Sequence, residues 1–227
     1  MPGRRFIEIS TPLGEEVLLF HRMRAREELA RLSEFEIDLL SAQAEIDFDK
    51  ILGQAVTIKL ELPADKTRYF HGYVTRFVQR GMYGRYHAYH AVVYPWLWFL
   101  TRDANCRIFQ EKTVPEILKQ VFDAHSTADV KFELTGHYRK WDYCVQYRET
   151  DFNFVSRLME QEGIYYYFKY ADGRATMVIA DSYSAHETLP GYAQIPFISA
   201  DRAMRTDQER ITEWQLAREI LPTEYVL

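Results

Sequence analysis

From Thr150 to Ala180 the chain reads as a helix, a strand, a tight turn and a second strand, and that order constrains the fold more than any other part of the sequence. Thr150 or Asp151 can cap the helix, since a side-chain oxygen there can accept from a first-turn N–H that has no partner within the helix. Phe152, Val155, Leu158, Met159 and Glu162 recur at three- and four-residue spacing, which puts four apolar groups on one face, while Asn153, Arg157, Glu160 and Gln161 look outward. Gly163 can take the left-handed conformation that ends helices. Ile164 to Tyr170 is rich in strand-favouring residues, and Asp172-Gly173 is a type I′ pair that turns the chain back through Ala175 to Ala180.

The first hundred residues follow a different period. Phe35, Ile37 and Leu39 alternate with Glu34, Glu36 and Asp38, and Val56, Ile58 and Leu60 alternate with Thr57, Lys59 and Glu61, as in half-buried strands. Two longer strands, Tyr69 to Arg80 and Arg85 to Tyr94, flank the loop Gly81-Met82-Tyr83-Gly84. An antiparallel sheet of this length is expected to curl or close so as to hide its edges.

After Pro95 the texture changes. Thr113-Val114-Pro115-Glu116 is a capping box, and Ile117, Leu118, Val121, Phe122 and His125 share one helical face. Short strands are predicted near Val130 to Leu134 and Tyr143 to Tyr147, and a long one from Ile211 to Ile220. The expected fold class is therefore α+β, mainly antiparallel β: a discontinuous β-barrel of residues 1–105 and 175–227 with an inserted α+β domain of residues 106–174.

With 227 residues, 47% of them hydrophobic and 27% charged, the chain can bury a substantial core. A net charge of −5 argues against a nucleic-acid partner. No run approaches the roughly 18 to 20 apolar residues that span a bilayer. The basic start is not followed by the apolar segment of a signal peptide. Cys106 and Cys144 are expected to be free thiols, because nothing in the sequence points to an oxidising compartment.

Candidate reactive groups favour structural roles. His87 and His90 fall on opposite faces of a strand, so one ion cannot readily take both, and adding His71 does not repair the spacing. Glu149, Asp151, Glu160 and Glu162 cluster in sequence, but Glu149 and Asp151 suit a helix N-terminus and Glu160 can pair with Arg157. Cys106 or Cys144 as a nucleophile would need a nearby base that sequence cannot reveal. The nucleophile-elbow, phosphate-loop, dinucleotide and zinc-protease motifs are missing from the sequence. The expectation is no catalytic residue, no bound metal and no cofactor. The aromatic runs Tyr94-Pro95-Trp96-Leu97-Trp98-Phe99 and Tyr165-Tyr166-Tyr167-Phe168 read as core strands whose second face can form an interface.

The segment Tyr147 to Phe168 resembles a signature of VgrG, the spike family of the type VI secretion system, and more distantly the baseplate hubs of contractile phage tails. Cys106-Arg107-Ile108-Phe109-Gln110 with Thr113-Val114-Pro115-Glu116-Ile117-Leu118, and Phe70-His71-Gly72-Tyr73-Val74, resemble earlier elements of the same family, in the same order. The resemblance implies a structural hub that stacks on the hexameric Hcp tube. It implies a homotrimer in the full-length protein, contacts with effectors or adaptors, and delivery into a target cell after synthesis in the bacterial cytoplasm. It places membrane puncture in a needle, which this sequence lacks along with the OB-fold neck. The chain is thus expected to be an N-terminal fragment, about two-thirds of a hub module, and monomeric or weakly associated by itself. A phage-tail baseplate hub and a spike-associated cell-wall hydrolase are the competing readings.

Overall fold

The computed structural model describes residues 6–62, 66–187, 192–199 and 210–220. Its contacts separate two compact units, residues 1–185 and 186–227.

The first unit opens with β1 (Ile7–Ser10), β2 (Leu19–Arg26), β3 (Glu34–Ser41), β4 (Ala55–Leu62), β5 (Lys66–Tyr83) and β6 (Tyr86–Tyr94), which form one antiparallel sheet in the order β1-β4-β5-β6-β3-β2. The two terminal strands approach each other in space, so the sheet curls into a half-barrel. Alternation explains its core. Phe35, Ile37 and Leu39 on β3 face Val93, Ala91 and Tyr89 on β6, and all six are buried. Val56, Ile58, Phe70, Val74 and Phe77 complete the same cluster. Gly72 is required by close approach, because a Cβ there would lie 2.5 Å from the Tyr94 carbonyl oxygen.

The β5–β6 hairpin runs further than its sequence suggests. Tyr83 pairs with Tyr86, which leaves Gly84 and Arg85 as the turn, and Gly81, Met82 and Tyr83 of the expected loop join β5 instead, past a register shift between Gln79 and Met82. The run Trp96–Thr101 is a 3₁₀ helix rather than an aromatic strand. Pro95 lacks the N–H that a continuing strand would use, and Trp96, Leu97 and Leu100 turn into a second core.

That second core is built by β7 (Ala104–Phe109), α1 (Val114–Asp123), β8 (Val130–Glu133), β9 (Cys144–Thr150), α2 (Asp151–Gln161), β10 (Tyr165–Ala171) and β11 (Arg174–Ala180). β7 and β9 make a two-stranded ribbon, and β10, β11 and β8 a three-stranded sheet in which β8 runs parallel to β11. Residues 175–180 thus lie in the smaller sheet and not in the half-barrel.

The capping box of α1 forms as its sequence predicts. Thr150 caps α2 by accepting from the Asn153 N–H at 3.1 Å. The helix ends where Gly163, at φ 68°, lets Ile164 N–H reach the Met159 carbonyl and Gly163 N–H reach that of Glu160. Phe154, Val155, Leu158 and Met159 are buried, whereas Phe152 is only partly so. In the β10–β11 turn only Gly173 of the pair has a positive φ, so the turn is not type I′.

In the second unit Ile198 N–H reaches the Ile211 carbonyl at 2.9 Å, and Ile211 N–H reaches that of Pro196 at 2.9 Å. The expected strand from Ile211 to Ile220 does not form: beyond Ile211 the described residues make no ladder, and Trp214, Leu216 and Ile220 are exposed. Alternation supplies two faces, but a strand also needs a neighbour.

Candidate functional site

Asp151, the first residue of α2, is 2% exposed and sits beneath the β7–β9 ribbon. Its Oδ1 accepts from Gln146 Nε2 at 2.8 Å, Asn105 Nδ2 at 3.1 Å and Arg107 Nη2 at 2.5 Å, and its Oδ2 lies 3.2 Å from His125 Nε2. Arg107 also donates to Gln146 Oε1 at 2.8 Å, which closes the ring of polar contacts. Burial by itself would push the Asp151 carboxyl up. The bonds from Gln146 and Asn105, the Arg107 charge and the His125 contact outweigh it, and the carboxyl is held below its ordinary value.

Local sequence makes this possible. A register shift between Asn105 and Cys106, together with Arg148 at φ 50°, interrupts the ribbon's regular ladder where these polar groups converge. The cluster joins ribbon, α1 terminus and α2 through one anion. Such a closed arrangement suits a mechanical lock, since both carboxylate oxygens are occupied and shielded.

The other sequence candidates disperse. Arg157 pairs with Glu149 at 2.6 Å and not with Glu160; the guanidinium reaches back over α2's first turns to the carboxylate beside the cap. Glu162 accepts from the Trp141 indole at 3.3 Å. His90 lies 2.8 Å from Asp38, His87 is paired across the sheet with buried Ser41, and His71 is bonded to Thr57 at 2.8 Å. The two histidines of β6 thus fall on opposite faces, as the strand period requires. Cys106 is exposed and Cys144 buried, both are free, and burial pushes the Cys144 thiol up.

A polar cleft lies between the turn after β2 and the flank of α2, lined among others by Arg26, Glu34, Tyr94, Glu149, Arg157 and Glu160. Its carboxylates are largely committed. Tyr94 donates to Glu34, and burial together with that carboxylate pushes the phenol up to about 12, while Glu149 is held by Arg157.

Aromatic surface is found where the sequence did not direct attention. Of the two runs singled out, Trp96 and Tyr166 are buried, and the Tyr165 and Tyr167 hydroxyls donate to the Ser182 and Ala185 carbonyls. One exposed group lies on the ribbon and at its approach: Ile108 at 59%, Val145 at 39% and Tyr147 at 65%, with Tyr143 at 53% just before β9 and Cys106 beside them. The alternation of Tyr143, Val145 and Tyr147 carried that signal, but sequence cannot say which face of a strand meets the core.

The sequence profile described as phage tail baseplate hub (GPD) matches residues 26–227. The chain is 44% identical to the type VI secretion system spike protein VgrG1a of Pseudomonas aeruginosa over 98% of its own length and 34% of that protein's. It is 44% identical to VgrG1c of the same organism over 96% of its length and 30% of that protein's. The chain therefore spans about a third of the length of the curated relatives it matches. Among solved structures, the E. coli c3393 protein, described as a type VI secretion component with structural similarity to the T4 bacteriophage tail proteins gp27 and gp5, superposes with a TM-score of 0.73 at 23% identity, covering 85% of this chain and 52% of that one. The 43 kDa tail protein of prophage MuSo2 from Shewanella oneidensis superposes with a TM-score of 0.57 at 15% identity, over 84% of this chain and 58% of that one. At these identities the two structures speak to fold alone.

Proposed function

The chain belongs to the phage tail baseplate hub family, and from that premise we propose that it is the N-terminal hub region of a type VI secretion spike. The observation that carries this reading is 44% identity to a VgrG spike protein across 98% of the chain. In the longer protein the half-barrel stacks on the hexameric Hcp tube as part of a homotrimer, and the spike is carried with the tube into a target cell. The role is mechanical and non-enzymatic, without a cofactor or metal. Effectors or adaptors ride on the assembled spike, and the protein is made in the cytoplasm before delivery. The expected division of the hub, with a discontinuous barrel of residues 1–105 and 175–227 around an α+β insertion of residues 106–174, is kept for the longer chain with one adjustment. The insertion extends through β11, which pairs with β10 and β8.

A curled sheet suits a load-bearing part, because hiding edges limits stray pairing under force. The test is co-sedimentation of the full-length protein with assembled Hcp tubes, alongside secretion of Hcp from cells that carry a deletion of residues 1–185. Binding by the full-length protein and loss of secretion in the deletion are expected. A full-length protein that ignores Hcp tubes but binds phage-type tail tubes would transfer the reading to a phage hub. Turnover of peptidoglycan, abolished by one carboxylate substitution, would replace it with a hydrolase.

A further inference from the structure

The exposed face of the β7–β9 ribbon is apolar, whereas its setting is cationic. Residues 102–112 and 139–150 carry Arg102, Lys112, Arg139, Lys140 and Arg148, besides Arg107, which is committed to buried Asp151, against Asp103, Glu111, Asp142 and Glu149, the last already held by Arg157, in a chain of net charge −5. The arginines beside β9 are placed for recognition. The Arg148 guanidinium lies 5.2 Å from the Tyr147 ring centre, and that of Arg139 lies 4.8 Å from the ring centre of Trp141. Both residues are exposed, and among the described residues neither is bonded to a carboxylate. A guanidinium stacked on a ring keeps its N–H fork available, and that fork matches a carboxylate.

Beneath this face the ribbon is held rigid by the contacts of Asp151 with Gln146, Arg107 and Asn105, so a docked segment meets a formed surface. The β9 edge is partly occupied, because Arg157 Nη2 donates to the Val145 carbonyl at 3.3 Å. Approach onto the face is therefore favoured over pairing along that edge.

We propose that the outer face of the β7–β9 ribbon, with Ile108, Tyr143, Val145 and Tyr147 as anchors and Arg139, Lys140 and Arg148 as its charged border, docks an extended acidic segment of another protein. The segment presents apolar side chains to the ribbon and carboxylates to the border. This site does not depend on the hub reading, since every part of it lies in residues 102–157 of the chain.

The experiment uses the whole chain with a fluorescein-labelled peptide of alternating Glu and Leu, and a Lys and Leu peptide as control, read by anisotropy at low and high salt. The acidic peptide binds and weakens with salt, and the control binds at least about tenfold more weakly. Tyr147→Ser with Ile108→Thr, and separately Lys140→Glu with Arg148→Glu, each weaken binding by about tenfold or more, with unchanged thermal melting showing that the variants fold. Equal binding of the two peptides, no binding, or indifference to both variants overturns the proposal. So does a stable dimer in sedimentation velocity that Tyr147→Ser dissolves, because the occupant would then be a second copy.

Discussion

Two carboxylates, one in each core region, show how differently this molecule uses the same chemistry. Asp38 stands on the outer face of the half-barrel and is approached by Arg22 at 2.6 Å, His90 at 2.8 Å and Arg80 at 3.1 Å. Asp151 has a comparable set of partners but is sealed beneath the ribbon. Arg22 and Arg80 are 76% and 52% exposed, so water and salt screen much of what they contribute. The partners of Asp151 are far less exposed: Gln146 is fully buried and Arg107 is 27% exposed. Partner count does not set the worth of a charge; the cost of leaving its partners unpaired does.

Four changes sharpen or break that contrast. Phe154→Ala sets the scale for the second core: Phe154 is fully buried and stacked on Phe109 at 5.5 Å, and its truncation is expected to cost about 4 kcal/mol in chemical denaturation. Asp151→Ala should follow at about 3 kcal/mol, because it strands the Arg107 charge and the Gln146 amide under the ribbon. Asp38→Ala should cost about 1 kcal/mol and less in high salt. A loss as large as that of Asp151→Ala, or one insensitive to salt, would erase the contrast. Tyr147→Ser should shift stability by no more than about 0.5 kcal/mol, since its ring already faces solvent.

Acidity separates the two cores in a different way. His71 is buried in the half-barrel, and burial holds its pKa below the ordinary 6.5. Between those two values the unfolded chain carries the proton and the folded chain does not, so stability rises with pH there. The contribution is full above 6.5 and declines as pH falls below it. Asp151 and Asp38 are both held below the ordinary 3.8, and Asp181 is drawn down to about 2. For Asp181, burial raises the value, but donors from Tyr138, Thr135 and Gly136 outweigh it. Those carboxylates stabilise fully above 3.8 and lose their contribution as pH falls through their folded values. Melting followed from pH 8 to pH 2 should show two declines, and His71→Gln should flatten the upper one only. A His71→Gln profile that keeps the decline below 6.5 would assign that step elsewhere.

Much of the fold was legible along the chain. The alternation in β3 and β4, the capping boundaries of α1 and α2, and the end of α2 at Gly163 each depend on neighbours within a few residues, which local sequence displays. The candidate site was less legible. Asp151 could be read as a helix-end charge, but nothing local announces that Asn105, Arg107, His125 and Gln146 converge on it from other elements. Arg157 offered Glu160 as its local partner and took Glu149 instead, because the guanidinium reaches the residue before the cap as easily as one a turn away. Ile211 to Ile220 had the period of a strand, yet a period names no partner.

By itself the sequence determined the elements whose period and caps are local, β3 to β6, β8 to β11, α1 and α2, and which of their residues are apolar enough to face a core, because backbone sterics and side-chain period act over a few residues. Its match to the phage tail baseplate hub profile over residues 26–227 also fixed the family. Only the tertiary structure decided which face of the β7–β9 ribbon is left in water, which strand β11 joins, and which carboxylate is enclosed. Those outcomes depend on packing between residues far apart in the chain, where burial rather than local pattern sets the energy.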